Sequence, residues 1–226
     1  MIIILLSIKF LEKHSSVYFI CIGCGHDSRI TIMNFNAITL NDFSWLNEPK
    51  EWKLSNNELL VKTDAKTDFW QDPFKKLFGS NGHFFRIQVK EDFSLQACVE
   101  ANYETLYDQA GVMIYSDDKH WIKAGIEYND GHSMISSVVT NEISDWATGL
   151  YTGNPAKFWI KLSKVNDVVC IKYSMDKNKW YLLRLAPFSA SAVYVGVMCC
   201  TPQREGLEVK FSELSMSKPA GDVLSE

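Results

Sequence analysis

The segment that decides the fold reads His120-Trp-Ile-Lys-Ala-Gly-Ile-Glu-Tyr128, and Asn129-Asp130-Gly131 follows it. Apolar residues recur at every second position of this segment, which is the period of a β-strand that buries one face. Asn-Asp-Gly is the strongest hairpin signal in the chain, because these residues accept the positive φ angles of tight turns. A further apolar run, residues 133–140, follows the turn. We therefore predict a β-hairpin of two antiparallel strands.

The two faces of the first strand differ in chemistry. The apolar face, which we predict to point into a core between two sheets, carries Ile122, Ala124, Ile126 and Tyr128. The outward face carries Trp121, Lys123, Gly125 and Glu127. A three-residue turn would place Ser133, Ile135 and Ser137 beside that face. The small serine side chains would leave a shallow groove next to Trp121. An exposed tryptophan is suited to stacking on a sugar ring, so we predict a ligand site there. The alternative is a solvated face whose cross-strand ion pair contributes little.

Short apolar runs of the same kind continue along the chain. We predict about twelve strands, at residues 51–54, 58–63, 83–89, 93–99, 110–115, 120–128, 133–140, 157–164, 168–174, 180–185, 192–200 and 207–216. Many short strands with turn residues at regular spacing indicate an all-β protein, a two-sheet antiparallel jelly-roll β-sandwich. Residues 68–78 hold at most one helical turn, because Pro73 lacks the backbone donor that a helix interior needs.

The domain organisation follows from length and composition. The 226 residues suit one large all-β domain, which we place at 33–217, with 218–226 as a flexible tail. Residues 1–32 differ in composition from the rest of the chain, so we predict that they form an N-terminal extension outside the fold. Met33 begins a segment that resembles the start of a protein, so we predict that translation begins there. The intact mass of the native protein tests this prediction. A signal peptide is the alternative, but no basic residue precedes the apolar run.

Charge and cysteine usage limit the partners. A net charge of −4 without a basic run argues against nucleic acid, and the N-terminal apolar run is too short to span a bilayer, so we predict no membrane partner. Cys199 and Cys200 are adjacent, which is a poor disulfide pattern and favours a reducing, cytoplasmic location. Cys21-x-x-Cys24 lacks the second ligand pair of a structural zinc site. We predict neither a metal nor another cofactor.

Other candidate site residues lie in neighbouring segments. Asp145 and Trp146 either form the rim of the groove or follow Ser144 into a capped turn. Asp108 and Gln109 precede a strand, where they close a loop or reach the groove. Arg184 alternates with apolar residues, so we expect it to point away from the core, near Glu127, and to pair with that carboxylate or bind an anion.

Several segments together resemble a known family. They are Phe43-Ser-Trp45-Leu-Asn-Glu-Pro49, Thr67-Asp-Phe-Trp70, Tyr107-Asp-Gln-Ala-Gly111, Trp121-Ile-Lys-Ala-Gly-Ile-Glu-Tyr128, Ser137-Val-Val-Thr140 with Ser144-Asp-Trp146, and Tyr173-Ser174 running to Trp180 and Arg184. Over residues 33–216 the chain is similar to a family of domains of unknown function that includes the fungal regulation-of-enolase proteins, in the concanavalin A-like lectin/glucanase superfamily. It departs from that family at residues 74–80, where Lys75-Lys76-Leu77-Phe78 replaces a more aromatic, glycine-bearing loop.

The resemblance implies a jelly-roll sandwich, a ligand site on the concave sheet face, a cytosolic location and a regulatory link to enolase. The site residues that it carries over are Trp121, Lys123, Glu127, Asp145, Trp146, Asp108, Gln109 and Arg184. Catalytic glucanases of this fold carry Glu-x-Asp-x-(x)-Glu on one strand, and this chain has no such run. Lys123 is expected to lower the pKa of Glu127, the wrong direction for a general acid.

Three functional hypotheses remain open. The first is a non-catalytic binding and regulatory protein related to carbohydrate metabolism, which holds a sugar or small polar metabolite in the groove and contacts a glycolytic enzyme such as enolase. The second is a glycoside-active enzyme whose two acids converge from different strands. The third is a protein-docking scaffold without a small ligand, although such a patch should be larger and more apolar.

Overall fold

The computed structural model describes residues 16–19 and 30–225. Within them lie eighteen strands and two short 3-10 turns, Phe35–Ala37 and Leu40–Asp42. The strands are β1 Ser16–Phe19, β2 Ile30–Met33, β3 Ser44–Leu46, β4 Glu51–Ser55, β5 Glu58–Lys62, β6 Phe69–Gln71, β7 Phe78–Ser80, β8 His83–Val89, β9 Phe93–Ala101, β10 Gln109–Asp117, β11 His120–Asn129, β12 His132–Asn141, β13 Ile143–Leu150, β14 Lys157–Val165, β15 Val168–Ser174, β16 Trp180–Pro187, β17 Val193–Cys200 and β18 Glu208–Ser217. The predicted zinc half-site at Cys21 and Cys24 lies outside the described residues.

Two seven-stranded antiparallel sheets form the sandwich. Sheet 1 has the order β13-β12-β11-β10-β17-β8-β3, and sheet 2 has the order β16-β15-β14-β9-β18-β5-β4. Their facing sides bury one large apolar core, in which Ile122 and Ile126 of sheet 1 meet residues such as Phe158 of sheet 2. The prediction of an all-β, two-sheet antiparallel sandwich is confirmed. Of the described residues, no helix is long and apolar enough to cross a bilayer.

The decisive hairpin forms, but its register differs from the prediction. Asn129 pairs with His132, so the turn has two residues, Asp130 and Gly131, with φ angles of 53° and 78°. Such two-residue turns need positive φ at both positions, which explains the glycine. Because a slip of one residue reverses every side chain, Ser136 rather than Ser133, Ile135 or Ser137 lies on the outward face.

A small hairpin covers the outer face of sheet 1. Strands β6 and β7 pair with each other, and this cover hairpin packs Phe69 against Trp121 with 6.1 Å between the ring centroids. Trp121 has no exposed surface, and its Nε1 donates to the Asp118 carbonyl at 3.2 Å. The expectation of an exposed Trp121 is therefore wrong. The single helical turn at residues 68–78 is also wrong, because the segment forms a hairpin.

Strand β13 forms the edge of sheet 1 and was not expected. It pairs with β12, with Asp145 opposite Val139 and Trp146 opposite Val138. Ser144 and Asp145 therefore lie on a strand and do not cap a turn. Farther along the chain, residues after β18 lie back on sheet 2, where the Lys172 Nζ donates to the Leu224 carbonyl at 3.0 Å.

Candidate functional site

A buried ion pair forms the base of the candidate site. Lys123 projects from the outer face of β11, is 4% exposed, and its Nζ lies 3.0 Å from the Asp68 Oδ1. Asp68 comes from the loop before β6 and also accepts from the backbone N–H of Phe69 at 2.8 Å. Burial acts to lower the pKa of Lys123, but Asp68, Cys200 and Glu127 together outweigh it, so that pKa stands above its ordinary value. The lysine is therefore charged at neutral pH.

Glu127 lies farther along the same strand face and is also buried. Its Oε2 accepts hydrogen bonds from the Ser136 hydroxyl at 2.7 Å and from the Trp146 Nε1 at 3.1 Å. Burial raises the pKa of Glu127, while Lys123 and the two donors oppose that rise without cancelling it. The expectation of a lowered pKa is thus wrong, because desolvation outweighs the nearby lysine.

A small cavity of about 10 Å³ separates these two charged groups. Its lining includes Gln109, Lys123, Gly125, Glu127 and Ser136. The volume is that of about one water molecule, and the polar lining would hydrogen-bond it. At Gly125 a Cβ would lie 2.0 Å from the Ala110 carbonyl oxygen of β10, so no side chain fits at that position of the lining.

Aromatic side chains form the rim above this polar floor. Trp146 is 37% exposed, and its ring lies edge-on to Trp70 of the cover hairpin and to Tyr107, at centroid distances of 6.2 and 6.3 Å. The Gln109 Nε2 lies 3.4 Å from the Asp68 Oδ1 and donates to the Tyr107 carbonyl at 3.2 Å. We call this set the outer-face groove; it comprises Asp68, Trp70, Tyr107, Gln109, Lys123, Glu127, Ser136 and Trp146.

Asp108 closes a loop and does not reach the groove. It is fully buried, and both carboxylate oxygens accept from the Arg204 guanidinium, at 2.9 and 3.0 Å from Nε. The backbone N–H groups of Glu104 and Thr105 donate to it at 3.0 Å each. Of the two roles open for Asp108, the structural one is thus observed.

Asp145 and Arg184 lie at the open edge of the sandwich. The Arg184 Nη2 donates to the Asp145 Oδ2 at 2.8 Å. Arg184 pairs with Ile171, a core residue, so it points to the core side of sheet 2. Arg184 therefore neither points away from the core nor lies beside Glu127, and that expectation is wrong. Because side chains alternate along β13, Asp145 also lies on the face opposite Trp146.

The groove contains residues to which sequence reasoning gave no role. Asp68, Trp70 and Tyr107 stand within segments that carried the family resemblance, yet nothing in their spacing indicates that they meet β11. Ser136 lies in the groove because the turn has two residues and not the three that the sequence predicts. Four of the eight candidate residues belong to the groove: Gln109, Lys123, Glu127 and Trp146. Trp121 lies buried beneath the cover hairpin and is not part of it.

This fold and site define a concanavalin A-like β-sandwich with a buried polar cluster beneath an aromatic rim on one outer sheet face. Residues 45–219 match the family described as "Protein of unknown function (DUF1349)", and the chain belongs to that family.

Known relatives agree with this assignment. The chain is 46% identical over 188 residues to "Regulation of enolase protein 1" of Saccharomyces cerevisiae, covering 83% of this chain and 95% of that protein. A crystal structure of a functionally unknown Saccharomyces cerevisiae protein superposes with a TM-score of 0.79 at 45% identity, covering 81% of this chain and 100% of the other. A GH43 protein, BlXynB, of Bacillus licheniformis shares the fold alone, with a TM-score of 0.64 at 13% identity over 78% of this chain and 37% of its own.

Proposed function

We propose that the protein is a non-catalytic binding and regulatory protein whose outer-face groove holds a sugar or similarly small polar metabolite. One observation carries the proposal: the partly exposed Trp146 ring, edged by Trp70 and Tyr107, donates its Nε1–H to the buried carboxylate of Glu127 at 3.1 Å. Aromatic side chains with one wet edge supply an apolar surface and a polar handle together. This is the combination that the C–H faces and hydroxyl groups of a sugar require.

Polar groups at the floor would orient the ligand. Lys123 offers N–H donors, Glu127 offers an acceptor oxygen, and Gln109 offers both kinds of atom. Ligand sites typically combine an apolar wall with a few such fixed polar groups. A hydroxyl of the ligand that replaces a water in the small cavity would make the same hydrogen bonds. We infer that the groove selects neutral, hydroxyl-rich ligands, because its buried lysine and acid are already partnered.

A glycoside-active enzyme is the second candidate, and the raised pKa of Glu127 favours it. A general acid needs such a raised pKa. Asp68 would have to serve as the second acid from a different segment of chain. Its Oδ1 is held by Lys123, and Glu127 lies beneath Trp146, so neither carboxylate is free in the described structure. Incubation with aryl glycosides separates the candidates: turnover that Glu127→Gln abolishes would replace the binding proposal with catalysis.

The regulatory part of the proposal rests on the similar protein of Saccharomyces cerevisiae. Its name, "Regulation of enolase protein 1", supports enolase as the enzyme regulated and, through enolase, a role in carbohydrate metabolism. The four cysteines within the described residues are buried and outside any disulfide, which suits the reducing, cytoplasmic location that we propose. Isothermal titration calorimetry of the full chain with purified enolase tests this part. A measurable Kd supports regulation by direct contact, and the absence of heat at micromolar concentrations contradicts it.

Thermal unfolding of the full chain with mono- and oligosaccharides and glycolytic intermediates tests the groove. A ligand that binds only the folded state raises Tm as its concentration rises. We expect the shift to vanish in Trp146→Ala and to shrink in Glu127→Gln. The matched control is Asp145→Asn, one residue away on the opposite face, which should keep the full shift. A ligand whose shift survives Trp146→Ala would bind elsewhere.

A further inference from the structure

The tip of the cover hairpin exposes three large apolar side chains within five residues. Phe74, Leu77 and Phe78 are 80%, 69% and 65% exposed. Single exposed apolar residues are ordinary on protein surfaces, but a contiguous group marks a site of interaction. The outer-face groove uses Trp70 of the same hairpin and leaves the tip unexplained.

The turn that carries these side chains is fixed by Asp72. One carboxylate oxygen of Asp72 accepts from the Phe74 N–H at 2.8 Å, and the other accepts from the N–H groups of Lys76 and Leu77 at 3.1 and 3.2 Å. The Phe74 N–H and its neighbours hold the pKa of Asp72 below its ordinary value. The Asp72 N–H in turn donates to the Leu77 carbonyl at 3.2 Å. The apolar side chains therefore project from an ordered loop and are not collapsed onto the sandwich.

Two lysines stand between the apolar side chains. Lys75 and Lys76 are both exposed, so the tip reads Phe-Lys-Lys-Leu-Phe. Protein interfaces are enriched in aromatic residues but depleted in lysine at their centre, so the two lysines do not fit the centre of a protein interface. Phe and Leu beside Lys is instead the composition of segments that lie in the interface of an anionic bilayer. Apolar rings enter the acyl boundary there, and the lysine stems extend toward the headgroups.

The size of the tip also argues against a second copy of the chain as its partner. A stable dimer buries about 800 Å² on each partner, and three side chains at the end of a narrow hairpin supply only part of that area. Insertion into a lipid surface needs no complementary pocket. It removes from water only the side chains that already project.

We propose that the tip of the cover hairpin, residues 74–78, anchors the protein reversibly to anionic lipid bilayers. Phe74, Leu77 and Phe78 enter the interface, and Lys75 and Lys76 bind anionic headgroups. This inference is independent of the ligand in the outer-face groove. The sequence-based prediction of no membrane partner rested on an N-terminal apolar run too short to span a bilayer, and a five-residue anchor needs no spanning segment.

Co-sedimentation of the full chain with phosphatidylcholine vesicles, with and without phosphatidylserine, tests the proposal. We expect binding to the phosphatidylserine vesicles that weakens as salt is raised. The triple variant Phe74→Ser, Leu77→Ser, Phe78→Ser should lose about a hundredfold or more in affinity. Replacing Lys75 and Lys76 by Gln should lose about fivefold for each lysine. No sedimentation of the unaltered chain with phosphatidylserine vesicles would overturn the proposal.

A matched control keeps the test specific. The variant Leu150→Ser, Leu182→Ser, Leu224→Ser removes three other exposed leucines, which are 69%, 54% and 53% exposed, and should bind like the unaltered chain. Equal losses in both triple variants would contradict a site at the tip. Because all six side chains are solvent-exposed, each variant should keep its Tm. A Phe78→Trp variant gives an independent readout: its additional fluorescence should be quenched by brominated acyl chains, and an unquenched Trp would also overturn the proposal.

Discussion

Lys123 and Asp68 form an ion pair, with 3.0 Å between Nζ and Oδ1, across 55 positions of the sequence. Lys123 belongs to the centre of sheet 1, and Asp68 belongs to the loop that leads into the cover hairpin. The pair therefore joins the hairpin to the sheet on which it lies. It also places a fixed charge at the floor of the outer-face groove, so the stability of the cover and the chemistry of the groove depend on the same contact.

Replacement of Lys123 by Met should loosen the cover hairpin. Met keeps the apolar stem but leaves Asp68 without its cation, and removal of one partner from a buried pair is destabilising. The Asp68 side chain is 29% exposed, so solvent screens part of the loss, and we expect about 1–3 kcal/mol. Urea unfolding measures that loss, and hydrogen exchange should show faster exchange at residues 68–80.

The double variant Lys123→Met, Asp68→Asn provides the control for this contact. It removes both charges, so it should recover part of the stability that the single substitution loses. A double variant that is as unstable as the sum of the two single variants would show that the two residues act independently.

Replacement of Glu127 by Gln should change the pH dependence of stability. The pKa of Glu127 is raised above 4.5 by burial in the folded protein, so the folded state binds the proton more tightly than the unfolded state. The resulting stability is fully present below the unfolded pKa and is lost as pH rises through the folded pKa. Relative to the Gln variant, the natural protein should therefore gain stability as pH falls from 8 toward about 4.5.

Paired urea titrations of both proteins across that range measure the difference. All other titrating groups are common to the two proteins, so their contributions cancel. A difference that does not vary with pH, or that grows in the opposite direction, would mean that Glu127 is ionised at low cost in the fold.

Asp108 and Asp145 should differ sharply in their effect on stability, although both were candidate site residues. Asp108→Asn leaves Arg204 without its buried partner and weakens the loop that Asp108 closes, so we expect a loss of about 2–3 kcal/mol and a fall in Tm of roughly 5–10 °C. Asp145 is 67% exposed in its pair with Arg184, so Asp145→Asn should change stability by about 0.5 kcal/mol or less. Calorimetric unfolding of the two variants distinguishes them, and equal effects would contradict this assignment.

Replacement of Gly125 by Ala should destabilise the sandwich by about 3 kcal/mol or more, because the new Cβ meets the backbone of β10 and not a mobile side chain. Gly149→Ala is the matched control on β13, where the nearest atom to a new Cβ is the Ile135 Cγ2 at 3.8 Å. That variant should unfold near the natural Tm. Equal Tm values for the two variants would contradict the prediction. They would mean that the close approach of β10 and β11 does not exclude a side chain at position 125.

The family relationship and the all-β class were accessible from the sequence because both depend on local pattern. Apolar residues at alternate positions on β11 must face a core whatever lies opposite them, and Asn129-Asp130-Gly131 can turn only in a few ways. Strand β13 was missed because an edge strand buries few of its side chains: Ile143 and Leu150 are both largely exposed. Such a strand has a weak alternating pattern.

The sequence by itself determined the sandwich class, the apolar face of β11 and the polar character of its outer face, since these follow from the two-residue period of a strand. Only the tertiary structure decided which polar residues meet. Asp68 reaches Lys123 because the cover hairpin folds over sheet 1, Arg184 turns to Asp145 at the sandwich edge, and Trp121 is buried beneath Phe69. These contacts join segments tens of residues apart, and a one-residue difference in a turn reverses a whole strand face, so local pattern carries no information about them.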